Sequence, residues 1–217
     1  MHSYLLHQVI RILARVSDRY SPSRMLTFDA VHVFKTFQLM KKHGSVSRTL
    51  LMQELGLGEG SIKTLVKHLK MNALVETSNG GMWMSEKGLR LYSKLSNVIA
   101  SEMTIPKCSI NIGKFNHAVL LKGEAAEVGN GIEQRDAAIK SGAVGATTLV
   151  FDSDRFLMPG KNMDPVKSEP NIIKSMTEKL HPENGDVVII GSADNKRIAE
   201  FAAKSAALIT VSAHHKH

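Results

Sequence analysis

Lys63, Lys67 and Lys70 recur at three- and four-residue steps, with Ser61 and Thr64 interleaved. On a helix this spacing gathers them on one face. Ammonium groups neutralise phosphate, and Ser and Thr hydroxyls donate or accept at a phosphate or a base edge. The chemistry implied is recognition of a polyanion, not bond making. His68 lies in the same run and faces either the polyanion or a half-buried position beside the next element. Opposite these residues, Ile62, Val66, Leu69 and Ala73 make an apolar stripe, which Leu65 and Leu74 widen. Residues 55–76 are therefore expected to hold a helix that lies on a core and shows a basic, hydroxylated face outward. An ordinary solvated amphipathic helix has the same pattern, so the flanks must discriminate.

Upstream, Leu50, Leu51 and Leu55 suggest a short apolar helix that Gly56 stops, with Ser47 as its cap and Arg48 at its start. Two short helices joined by a Gly-containing turn form a helix-turn-helix. Downstream, residues 74–77 and 82–84 read as two strands. Ser78, Asn79, Gly80 and Gly81 between them supply the positive φ of a tight hairpin. Ser85 then caps a helix expected to run to about Ser101, with Leu89, Tyr92, Leu95 and Ile99 as its stripe. Helix, turn, helix, hairpin, helix is the order of a winged helix-turn-helix. The runs LGLGEGSIKTLVKHLKMNALVE and NGGMWMSEKGLRLY resemble prokaryotic winged-helix transcription regulators over about a third of the chain. The "LG-L" turn with its following Ser-Ile, and the Ser-x-x-Gly after the hairpin, carry the likeness. Farther on, GIEQRDAAIKSGAVGATTLVFDSDRFLMPG and GDVVIIGSAD resemble archaeal-type members with an uncharacterised C-terminal domain. The resemblance implies DNA binding and names no ligand. Winged helices also serve as protein–protein modules, so fold alone does not fix function.

The chain has 217 residues and a formal net charge of +8. Residues 1–104 hold 14 Lys and Arg against 7 Asp and Glu, whereas residues 105–217 hold 14 against 13. The basic excess thus sits in the half with the helix-turn-helix, as nucleic-acid binding requires. One cysteine, Cys108, excludes an internal disulfide. No apolar run approaches the roughly 18 residues of a membrane span. The N-terminal run is interrupted by Arg11 and Arg15, unlike a secretory signal. The expectation is a cytoplasmic protein without a membrane partner.

The chain length suits two domains, expected at 1–103 and 104–217 with a linker at 103–106. In the first, residues 4–17 form a helix with Leu5, Val9, Ile12, Leu13 and Val16 on one side. It pairs with its twin in a dimer or packs on the helix after the hairpin. A break follows at Tyr20, Ser21, Pro22 and Ser23. A helix over 27–43, capped by Thr27 or Asp29 and ended by Gly44, has Val31, Phe34, Phe37, Leu39 and Met40 as core candidates. In the second, strands are expected at 109–112, 117–121, 146–151, 155–158, 186–190 and 209–211, and helices at 132–141, 171–180 and 196–208. The fold class expected is a two-domain chain, α+β overall, with a small C-terminal α/β domain.

Small-molecule chemistry has weaker support. Gly191, Ser192, Asp194, Asn195 and Lys196, with Arg197, lie where a strand meets a helix start, a geometry that can hold an anion. A capped strand-to-helix turn, with Asp194 as N-cap, is the favoured reading of these residues. Residues 145–148 with Arg155 form a second candidate, against plain strand packing. There is no G-x-S-x-G, no H-E-x-x-H and no base near Cys108. Asp152 and Asp154 suit a turn, and the tail His214, His215, Lys216, His217 lacks fixed metal geometry. No enzyme and no cofactor are expected. The reading is a DNA-binding transcriptional regulator. It contacts double-stranded DNA through Arg48, Ser61, Lys63, Thr64, Lys67, His68, Lys70, Asn79, Gly80 and Gly81. It is expected to act as a homodimer whose C-terminal domain senses a small effector or dimerises. The alternative is a protein–protein or RNA-associated module.

Overall fold

The computed structural model describes residues 2–18, 26–110 and 112–213, with side chains of the first helix from Gln8 onward. The expected break at Tyr20, Ser21, Pro22 and Ser23, the tail 214–217, Asn111 and the side chain of Leu5 lie outside the described residues. The chain is mixed α+β and divides into two compact units, Met1–Leu95 and Ser96–His217. None of the described helices is long and apolar enough to cross a membrane.

The first unit is built on α2 (Ala30–His43). Asp29 caps it, its carboxylate accepting from the backbone N–H groups of Val31 and His32 while His32 reaches back. Val31, Phe34, Phe37, Leu39 and Met40 are buried, as expected, and so are Val33 and Thr36. Gly44, at φ 76°, ends the helix. α1 (His2–Val16) buries Val9, Leu13 and Val16 within its own chain, against α2 and α4 (Glu59–Met71). Within the chain this helix packs chiefly on α2 and α4 rather than on the helix after the hairpin, and Ile12 is half-buried. α3 (Arg48–Leu55) starts at Ser47, whose hydroxyl accepts from the Leu50 N–H, and stops at left-handed Gly56.

β1 (Val75–Ser78) and β2 (Gly81–Met84) form a hairpin with a two-residue turn at Asn79 and Gly80. Val46 joins it by two backbone hydrogen bonds to Met82, 2.8 and 2.9 Å, so the α2–α3 connection forms part of the same small ladder. After the hairpin, Ser85 accepts from Gly88 N–H and donates to Ala73 carbonyl, fixing the start of α5 (Glu86–Val98). Gly88 is required here. A Cβ at this position would stand 2.1 Å from the Leu74 carbonyl oxygen. On α5 Leu91, Leu95 and Val98 are buried, Tyr92 is half-buried, and Leu89, expected on the stripe, is exposed.

The helix expected to reach Ser101 stops at Val98, because Ile99 opens β3 (Ile99–Thr104). Residues 103–106 are consequently not a linker throughout, and the second unit begins at Ser96 rather than 104. Residues 109, 110 and 112 are not in a strand. The remaining elements are β4 (Phe115–Leu121), α6 (Ile132–Lys140), β5 (Gly145–Asp152), β6 (Arg155–Leu157), α7 (Pro170–Leu180), β7 (Val187–Ala193) and α8 (Lys196–Ala213). The sheet order is β3-β4-β7-β5-β6, and every pairing is antiparallel. Residues 187–193 form a strand buried along its whole length because both faces of β7 are covered. Val188 and Ile190 meet Ile172, Met176 and Leu180 of α7. The alternate residues meet α8, whose backbone approaches so closely that a Cβ on Gly191 would lie 2.4 Å from the Ala199 oxygen. The strand expected at 209–211 is the last part of α8. There Thr210 donates to the Ala206 carbonyl and accepts from Gln134, and packing on α6 and the sheet overrides β-branched propensity.

α8 also carries a charge into this face. Lys204 is fully buried, its Nζ 3.0 Å from Glu102 Oε2 and paired as well with Glu200 one helical turn back. His117 Nε2 lies 3.7 Å from Glu102 Oε2, beyond hydrogen-bond distance. Burial pushes the Glu102 carboxyl up. The His117 ring and the Lys204 ammonium outweigh this and hold it well below the ordinary carboxylate range.

Candidate nucleic-acid interface

α3, the turn at Gly56, Leu57 and Gly58, and α4 place the basic residues. α4 buries Ile62, Leu65 and Leu69, while Val66 is at the margin. Ala73 is not on this stripe. The helix ends at Met71, and Ala73 is exposed with φ 54°, turning the chain into β1. The outward face shows Lys63, Lys67 and Lys70, and Arg48 at the start of α3 stands beside them. A shallow depression of about 350 Å³ is lined by Arg48, Lys63, Val66, Lys67, Lys70 and Met71. It adjoins a groove of about 630 Å³ between α3, α4 and the hairpin, to which Ser47, Arg48, Lys70, Asn79, Gly80 and Gly81 contribute. Among the described residues lining the two, none is acidic.

The expected contact residues differ in what is left free. Arg48, Lys67 and Lys70 are exposed and form no ion pair among the described residues. Lys63 is paired with Glu59 at 2.8 Å, and that contact holds the Glu59 carboxyl below its ordinary range. The Ser61 hydroxyl is 2.6 Å from that of Thr27, and Thr64 donates to the Gly60 carbonyl, so both hydroxyls are already engaged. His68 is a correction. It is 5% exposed, its Nδ1 is 2.8 Å from the Val16 carbonyl, and its ring packs edge-on against Phe28. It joins α4 to α1 and faces away from the basic surface. The hairpin tip is held by Ser78, whose hydroxyl accepts from the Gly80 N–H. Gly81, at φ 133°, lies against Val46, and a Cβ there would be 3.1 Å from its oxygen.

The anion site expected at 191–196 is also corrected. Gly191 and Ser192 lie inside β7, not in a loop, and both are buried. Ser192 donates to Asn116 at 2.6 Å. Asn195, not Asp194, caps α8 by accepting from the Arg197 and Ile198 N–H groups, which occupies the donors an anion would need. Lys196 sits over the Phe115 ring. Residues 145–148 are strand. Thr147 bonds the Ile110 carbonyl and Arg155, paired with Asp152 in the ladder, stands at the far end of β5. Cys108 packs against the α7 core.

Sequence reasoning missed Glu59, the Val46 bridge and the Lys204 cluster. The Glu59–Lys63 spacing of four was a readable signal. For Lys204 the signal was a Lys in the Ala-rich part of a helix, four residues after Glu200. For Val46 there was none beyond a β-branched residue between two serines.

Residues 112–211 match the model of a domain of unknown function, DUF4443. A solved structure of a hypothetical protein from Pyrococcus horikoshii OT3 is similar. It is 24% identical, with a TM-score of 0.64 over 85% of this chain and 91% of that one. That likeness speaks for the fold. No curated protein matches the chain.

Proposed function

We propose that this protein is a DNA-binding transcriptional regulator, that its first unit is a winged helix-turn-helix, and that α4 enters the major groove. The observation that carries the reading is the continuous basic surface formed by Arg48, Lys67 and Lys70, which runs from α4 into the groove beside the hairpin without an acidic lining residue. Three unpaired cations on a protruding helix and its neighbour suit a phosphate backbone. The hairpin tip, Asn79 and Gly80, has no cation. It approaches the backbone without inserting a basic side chain. The protein acts by binding, as a dimer on paired half-sites, and not by catalysis.

The test is binding of full-length protein to duplex DNA across a salt series, wild type against Lys67→Ala/Lys70→Ala. Each lost phosphate contact removes about 0.9 from the slope of log K against log salt, so the slope should fall by roughly 1.8. Salt-insensitive or absent binding, or an unchanged slope, overturns the reading in favour of a protein partner.

A further inference from the structure

One carboxylate stands at the edge of the basic surface. Glu59 lies one helical turn before Lys63 and on the same face of α4 as Lys63 and Lys70. Its Oε1 meets the Lys63 ammonium at 2.8 Å, and both side chains stay more than half exposed, at 63% and 56%. An exposed pair of this kind adds little to stability. A carboxylate beside a phosphate backbone also opposes non-specific binding to DNA. The neighbours of Glu59 are equally unexplained by the fold. Gly58 and Gly60 have no positive φ, and a Cβ on either would meet nothing within 4 Å. Gly58 offers no side-chain cap, and a glycine within a helix is worse than alanine. Bare backbone on both sides leaves the Glu59 carboxylate open to close approach by a broad surface.

We propose that Glu59 and Lys63 together read one G·C base pair, Glu59 accepting from the cytosine amino group and Lys63 donating to guanine O6 and N7. This rests on the reading that α4 enters the major groove. The match is one of pattern and spacing. A G·C pair shows two acceptors, guanine N7 and O6, beside one donor, the cytosine N4 amino group. O6 and N4 are hydrogen-bonded to each other, so they stand about 2.9 Å apart. The ammonium and the carboxylate are held at nearly the same spacing, 2.8 Å. Laid edge to edge, each group meets its complement and the Lys63–Glu59 contact is kept. An A·T pair sets its donor between two acceptors, so Lys63 loses one of the two it spans. A lone lysine here would accept any phosphate or base acceptor. The carboxylate adds the demand for a donor beside it, which makes Glu59 a specificity-determining residue.

The experiment selects sites from a pool of random duplex DNA with full-length wild type, Glu59→Gln and Lys63→Ala. It then measures affinity for the selected duplex and its single-pair replacements. Wild type should enrich a site in which changing one G·C pair to A·T weakens binding by about 10- to 100-fold. Glu59→Gln should lose that preference and favour A·T at the same position, because a glutamine amide pairs with adenine N6 and N7. Its preferences elsewhere in the site should stand. On unselected duplex it should bind at least as tightly as wild type, which separates lost reading from lost binding. Lys63→Ala should weaken discrimination at the same pair. Both side chains are exposed, and circular dichroism should show both variants folded like wild type. Base preferences that Glu59→Gln leaves unchanged, or a wild-type site without a G·C pair tied to Glu59, overturn the proposal and leave the reading of the basic surface standing. Wild type that retains no duplex overturns both.

Discussion

Removing the Lys204 ammonium is a stringent test of the second unit. Lys204→Met keeps the volume and leaves two carboxylates, Glu102 and Glu200, facing each other without their cation. Breaking a fully buried pair costs about 3–5 kcal/mol. Here the carboxylates are 32% and 17% exposed, so water takes up part of the charge and about 2.5 kcal/mol is expected. Amide exchange in β4 and β7, the two central strands flanking this face, reports opening of this unit directly and should be roughly seventyfold faster. The sign with pH is fixed. Glu102 has a folded pKa below its ordinary 4.5, so its contribution is present above that value and is lost as pH falls toward the folded value. In the variant Glu102 keeps only the His117 ring, titrates higher than in wild type and is neutralised sooner. The gap between wild type and variant should therefore narrow from pH 7 to pH 4. Adding Glu102→Gln and Glu200→Gln to Lys204→Met should recover most of the loss. A variant within about 0.5 kcal/mol of wild type, or a gap that widens in acid, would refute the electrostatic account.

Three further outcomes are expected. Glu59→Gln frees Lys63, so affinity for duplex DNA should rise at low salt and the salt slope should steepen by up to about 0.9, read in the same titration. Gly88→Ala drives a methyl into the Leu74 carbonyl, 2.1 Å away, and should cost about 2–3 kcal/mol in thermal or urea unfolding of the first unit. Asn195→Ala uncaps α8 and should lower stability by about 1 kcal/mol, measured by amide exchange at the start of that helix.

The elements that were legible in the sequence are those whose pattern is local. α2, α3, α4 and the hairpin announced themselves through caps, periodic aliphatics and Asn-Gly chemistry, and their ends lie within a few residues of expectation. What failed was set by distant partners. Residues 99–101 continue a helical pattern on paper and 103–106 read as a linker, yet 99–104 are strand because β4 offers them an edge. Residues 209–211 are β-branched, yet they are helix because α6 and the sheet enclose them. The antiparallel sheet read as α/β for the same reason, since strand burial reports coverage of both faces and not strand direction. At the basic surface, the lysines followed from spacing alone. Which of them are free did not, because the Glu59 contact, the Thr27 hydroxyl and the burial of His68 against α1 depend on three-dimensional neighbours.

The order of strands also has a consequence for how the chain is made. β7 lies at the centre of its sheet and pairs on both sides, with β4 some seventy residues earlier and with β5 some forty residues earlier. The second unit cannot close its sheet until residue 193 has been synthesised, so its folding is dominated by long loop closure and should be slow. The first unit is assembled from neighbouring helices and one tight hairpin, and all its partners are present once residue 95 has emerged. Emerging strands β3, β4 and β5 meanwhile wait with unpaired edges, the interval in which this protein is most exposed to aggregation.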